Sequence, residues 1–151
     1  MLAARHVLIV ALVFALRAGS VVAQSNRPYS APNRAQQQEL EQNLQDVRFE
    51  FDHYDLSPQG RQALESDANW LKANPNVYVV IRGEADERGS VVYNLALSQK
   101  RATVTRNALI EAGVPAVRLV FATGWGKLYP ACMQSDETCW SRNRRAHFTR
   151  W

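Results

Sequence analysis

The chain has 151 residues, which favours one domain with some chain left over for a leader or tail. Its formal net charge is +4, but setting aside residues 1–23 removes Arg5, Arg17 and no acid, leaving 16 basic against 14 acidic residues, a net +2. That modest surplus, with no phosphate-binding stripe, argues against a nucleic-acid partner and assigns the extra Lys and Arg to solvated surface.

Met1 to His6 is a short basic start, and Val7 to Leu16 is an apolar run of ten residues, about half the length needed to span a bilayer. Val21-Val22-Ala23 offers a cleavage point before Gln24, so residues 1–23 read as a secretory signal peptide, with a retained membrane anchor as the alternative. No cysteine stands at that point to take a lipid. Residues 24–46, rich in Gln, Asn, Pro and Ser, read as a flexible N-terminal tail in which Arg34 to Gln45 has at most a marginal helix. The domain is expected over 47–151.

Val47 to Asp52 alternates apolar and polar residues, which predicts a half-buried strand with Val47, Phe49 and Phe51 inward. Ser57-Pro58 supplies an N-cap and a first-turn proline, and Leu64, Ala68 and Leu71 recur at helical spacing, so a helix is expected from Pro58 to about Ala73. Val77 to Ile81 is a β-branched central strand. A second helix runs from about Val91 to Ala112 and stops at Gly113. Arg118 to Thr123 and Arg144 to Arg150 are the last two strands. The order β-α-β-α-β-β predicts an α/β two-layer sandwich, with helices packed on a mixed sheet. A terminal aromatic such as Trp151 can mark an outer-membrane barrel, but two helices leave no room for the eight strands of about ten residues that a small barrel needs.

Between the last two strands lie the only cysteines, Cys132 and Cys139. In an exported chain they read as a disulfide closing eight residues, worth roughly 2.5 kcal/mol by chain entropy. The alternative is a metal pair, although the spacing fits no zinc pattern and only His147 lies nearby.

At 100° per residue, the second helix places Asn94, Leu97, Ser98, Arg101, Ala102, Thr105, Ala108 and Leu109 on one face. Arg101 thus sits in a stripe of small and apolar residues and requires a partner. The acids of the preceding "GEADERGS", Asp86 above all, are the candidates. Two readings stand together: a structural ion pair, or a ligand site with an anionic and a cationic wall. The second suits a zwitterion, its carboxylate on the fork of Arg101 and its ammonium against Asp86. A third class is an enzyme, with Glu84, Asp86 and Asp52 as paired carboxylates for glycoside hydrolysis.

"FEFDHYDLSPQG", "GEADERGSVVYNLALSQKRA" and "WSRNRRAHF", in this order and spacing, resemble the OmpA-like peptidoglycan-binding domain in its Pal-like branch, across roughly Val47 to Trp151. The resemblance implies a non-enzymatic module without cofactors that binds the free amino and carboxyl end of diaminopimelate in peptidoglycan stem peptides. It implies Asp86 and Arg101 as the ligand pair, Asn94 lining the same site, Phe51 and Asp52 at the end of the first strand, Leu97 as a wall and Arg144 close by. It also implies a place in the periplasm against cell wall and outer membrane, and a Tol-type or outer-membrane protein as a further partner. The sequence departs from the pattern at Glu84, where the family commonly has His or Asn, and an extra negative charge there is expected to alter affinity.

Overall fold

The computed structural model describes residues 31–151. The expected signal peptide and residues 24–30 of the expected tail lie outside the described residues. In chain order the elements are α1 (Arg34–Asn43), β1 (Val47–Arg48), α2 (Pro58–Ala73), β2 (Val79–Gly83), α3 (Val91–Glu111), β3 (Leu119–Gly124), α4 (Glu137–Asn143) and β4 (Arg145–Arg150). Each helix starts where a short polar side chain accepts from an otherwise unpaired amide: Asn33 from Gln36, Ser57 from Gly60, Ser90 from Tyr93 and Asp136 from Cys139.

The sheet order is β1-β4-β2-β3. β2 and β3 are parallel and joined by α3, while β4 inserts antiparallel between β1 and β2. The core lies between one sheet face and the helices, and includes Leu40, Leu64, Leu71, Ile81, Leu109 and Phe148. α3 lies with its main chain directly on the strand ends: a Cβ on Gly83 would sit 1.8 Å from the Ser98 carbonyl oxygen, and one on Gly124 2.4 Å from the Gln99 nitrogen. Only glycine permits that approach.

Three expectations need correction. Residues 31–46 are not a free tail: α1 places Leu40 and Leu44 in the core, and the Gln37 side chain accepts from the Arg150 amide along the edge of β4 that the two-residue β1 leaves uncovered. A helix with only two deep anchors shows little apolar stripe, so tertiary packing decides the outcome. The first strand ends at Arg48 rather than Asp52, and Phe51 is 54 % exposed. Beyond Arg48 the carbonyls turn away to serve two arginines, and Asp52 adopts the left-handed φ of 60°. The segment around the cysteines, for which no helix is expected from the sequence, carries α4. The disulfide itself is present, so the cysteines hold each other and not a metal.

Candidate functional site

The stripe of α3 is buried as its spacing predicts: Asn94, Leu97, Ser98, Arg101, Ala102, Thr105 and Leu109 face inward. Arg101 is 0 % exposed. Its partners, however, are not acids. Nε donates to the carbonyl oxygen of His53 (2.9 Å), Nη1 to that of Glu84 (2.9 Å) and Nη2 to that of Glu50 (3.1 Å). Main-chain oxygens from the loop after β1 and from the end of β2 thus compensate the buried cation, and two of the five guanidinium N–H groups stay uncommitted. Burial pushes the Arg101 pKa down to about 10 and the nearby Arg144 adds to this, while Asp86 and Asp52 oppose it. Arg101 therefore stays charged at neutral pH.

The strand β2 delivers Asp86 just beyond its end. Burial pushes this carboxyl up, but hydrogen bonds from Arg88 and Arg144 outweigh it and hold the group below the usual carboxylate range. Oδ1 accepts from the Arg88 amide (3.1 Å) and Nε (3.2 Å), and Oδ2 from Arg88 Nη2 (2.6 Å) and Arg144 Nη1 (3.3 Å). Arg144 also donates to the Phe49 carbonyl (3.0 Å) and to Glu137 (2.5 Å). Asn94 fixes the loop from below, donating to the carbonyls of Arg88 (2.8 Å) and Asp86 (3.3 Å). Asp52 accepts from the Tyr93 hydroxyl.

A cleft of about 160 Å³ opens among these groups. All seven residues singled out from the sequence line it: Phe51, Asp52, Asp86, Asn94, Leu97, Arg101 and Arg144. They come from the turn after β1, the end of β2, the first half of α3 and the start of β4. Glu84 does not join them. Its side chain projects from the other sheet face, buried against Arg145 (2.7 Å) and near Arg82 (3.6 Å), so the expected charge effect on a ligand has no geometric basis.

Four contributors escape the sequence reading. Arg88 and Tyr93 line the cleft, and Arg88 sits between the rings of Phe51 and Trp140, 4.0 and 4.1 Å from their centroids. Trp140 donates through its indole N–H to Glu87 (2.9 Å), and Lys127 donates to the carbonyls of Glu87 and Gly89 (2.8 and 2.9 Å). Arg88 and Tyr93 are visible inside the quoted motifs. Trp140 opens the third quoted motif but has no role assigned there, and Lys127 carries no local signal, because only the folding of distant loops brings the two here.

A family model described as OmpA family matches residues 48–145. A peptidoglycan-associated lipoprotein of Agrobacterium fabrum is 35% identical over 154 aligned residues, covering 95% of this chain and 86% of that protein. The protein of that name from Pasteurella multocida is 39% identical over 109 residues, 72% of each chain. Among solved structures, the peptidoglycan-associated lipoprotein from Burkholderia pseudomallei superposes with a TM-score of 0.66 at 40% identity, covering 70% of this chain and 89% of that one. The C-terminal domain of MotB from Helicobacter pylori gives the same TM-score at 19% identity, covering 72% and 84%, which is a likeness of fold alone.

Proposed function

This chain belongs to the OmpA family, and from that premise we propose that it is a non-enzymatic binding module of the cell envelope, holding peptidoglycan noncovalently by the diaminopimelate end of a stem peptide. The observation that supports the reading is the convergence of seven sequence-derived residues, from four separate elements, on one small cleft. Its charged groups are three cations, Arg88, Arg101 and Arg144, and two anions, Asp52 and Asp86. That surplus favours a ligand end that brings its own carboxylate.

The carboxylate takes the two uncommitted N–H groups of Arg101, whose charge is preorganised by its carbonyl partners. The ammonium goes to Asp86. All four lone-pair positions of that carboxylate are engaged by the protein. The ammonium therefore replaces one cation contact, and the 3.3 Å bond from Arg144 is the longest and the easiest to give up. Ala85 and Leu97 provide the apolar wall against which the aliphatic part lies.

Partly desolvated charged hydrogen bonds of this kind contribute about 1.5–3 kcal/mol each. Asp86→Asn and Arg101→Met are therefore each expected to weaken binding to purified sacculi by about tenfold or more in a pull-down. Undiminished binding by both variants, shown to be folded by thermal melts, overturns the site. Release of soluble muropeptides from sacculi by the purified protein overturns the non-enzymatic reading.

A further inference from the structure

The disulfide lies outside the cleft, yet it anchors a helix that supports two of the cleft's arginines from behind. α4 has seven residues, far below the length at which a helix is stable alone. None of its residues belongs to the main core cluster. Its one deeply buried apolar residue is Cys139, bonded to Cys132 at the far side of the loop. The same loop end is gripped by Asn143, whose side chain accepts from the Cys132 amide (3.0 Å) and donates to the Cys132 carbonyl (2.7 Å). So the helix is tied to one point, residue 132, by a covalent bond near its start and two hydrogen bonds at its end.

What α4 presents toward the cleft is a set of contacts to the ligand loop. Trp140 stacks on the Arg88 guanidinium and bonds to Glu87. Glu137 bonds to Arg144 (2.5 Å) and lies 3.8 Å from Arg88. Arg88 and Arg144 are the two cations that hold Asp86. The chain of contact runs from the disulfide to α4, from α4 to two arginines, and from these to the carboxylate.

We infer that the Cys132–Cys139 bond with α4 is a brace for the ligand loop: Glu137 and Trp140 are positioning residues for Asp86, and opening the disulfide loosens the cleft while the domain stays folded. The inference rests on the binding reading for its consequence but not for its structural content. Opening the bond requires a dithiol reductant: the S–S bond breaks, the dithiol supplies two electrons and two protons and becomes a disulfide, and both cysteines end as thiols.

The test compares oxidised protein, dithiol-reduced protein and the Cys132→Ser/Cys139→Ser double variant, with Trp140→Ala and Trp140→Phe in the oxidised form. Three quantities are measured: the thermal melt, the pH at which the Asp86 carboxyl titrates by carbon NMR, and binding of a soluble diaminopimelate-containing stem peptide. The expected result is a single cooperative melt throughout, and Asp86 titrating at higher pH after reduction, in the double variant and in Trp140→Ala. Peptide binding is expected to be about tenfold weaker in those three forms, with recovery in Trp140→Phe. An unmoved Asp86 titration in the reduced and double-variant proteins overturns the brace, and so does loss of the cooperative melt in both. Failure of the oxidised protein to bind the peptide overturns the binding reading instead, and the Asp86 titration then still decides the brace.

Discussion

Among the described residues three arginines are almost completely buried, and two of them, Arg101 and Arg118, bond through their side chains to main-chain oxygens alone; of these two only Arg101 borders the cleft. Arg118, just ahead of β3, donates to the carbonyls of Leu71 (2.7 Å), Asn74 (2.7 Å) and Val77 (2.9 and 2.7 Å). These carbonyls lie at the end of α2 and in the turn that follows, where a cation also meets the negative end of the helix. Arg101 uses carbonyls in the same way, but has Asp86, Asp52 and Arg144 in electrostatic range and two N–H groups to spare. The difference teaches that burial of a guanidinium is not in itself the mark of a binding site. Opposite charge and an open space beside it are what set Arg101 apart, while Arg118 is a staple between α2 and β3.

The comparison is sharpest when Arg118 is removed. Arg118→Met removes a charged donor from three carbonyls, of which Leu71 and Asn74 keep a main-chain amide and Val77 does not, and is expected to cost about 2–4 kcal/mol, read as a lower urea midpoint. Sacculus binding by the folded fraction should stay at the wild-type level; a matching loss of affinity would erase the distinction between the two arginines.

A buried acid away from the cleft extends the comparison. Asp67 on α2 is buried, accepts from the Gln45 amide (3.0 Å), and has a second carboxylate oxygen without a partner. Burial pushes its pKa up to about 7, the hydrogen bond from Gln45 opposing and the charge of Asp46 reinforcing the shift. Because the folded value lies above the unfolded one of 3.8, the stability this group allows is complete below that pH and is lost progressively as pH rises toward 7. Asp67→Asn should therefore melt above wild type at pH 8, by on the order of 1–3 kcal/mol, and lose that advantage at pH 4. A constant difference across this window would show that Asp67 ionises normally. Ligand binding should not follow this titration.

The smallest effect is expected at Glu84. It stands two positions before Asp86 and is equally buried, but it pairs with Arg145 on the other sheet face. Glu84→Gln should lower stability by about 1 kcal/mol and leave affinity for the stem peptide unchanged. A clear change in affinity would mean that charge on that face reaches the ligand.

The helical period of Asn94, Leu97, Arg101 and Leu109 made both the inward face of α3 and the anomaly at Arg101 legible in the sequence. The caps at Ser57 and Ser90 and the β-branched run around Val79 and Ile81 made the sandwich legible. What the period could not provide was the identity of Arg101's partners, since main-chain oxygens carry no sequence signature. The alternation through Phe51 promised a longer strand because local pattern takes no account of carbonyls claimed by Arg101 and Arg144 from elsewhere. α1 and α4 were obscured for a common reason: each is held by a few long-range contacts, Leu40 and Leu44 in one case and a disulfide in the other, rather than by its own periodicity.

The glycines under α3 have a consequence for selectivity. Since bare backbone meets backbone at Gly83 and Gly124, the helix bearing Arg101 and the strand leading to Asp86 are separated by incompressible van der Waals contact, with no adjustable side chain between them. On the proposed reading the cleft works as a fixed gauge. It measures the gap between the opposite charges of whatever enters, so a homologue of the ligand with one carbon more or less between those charges meets the same residues at the wrong spacing.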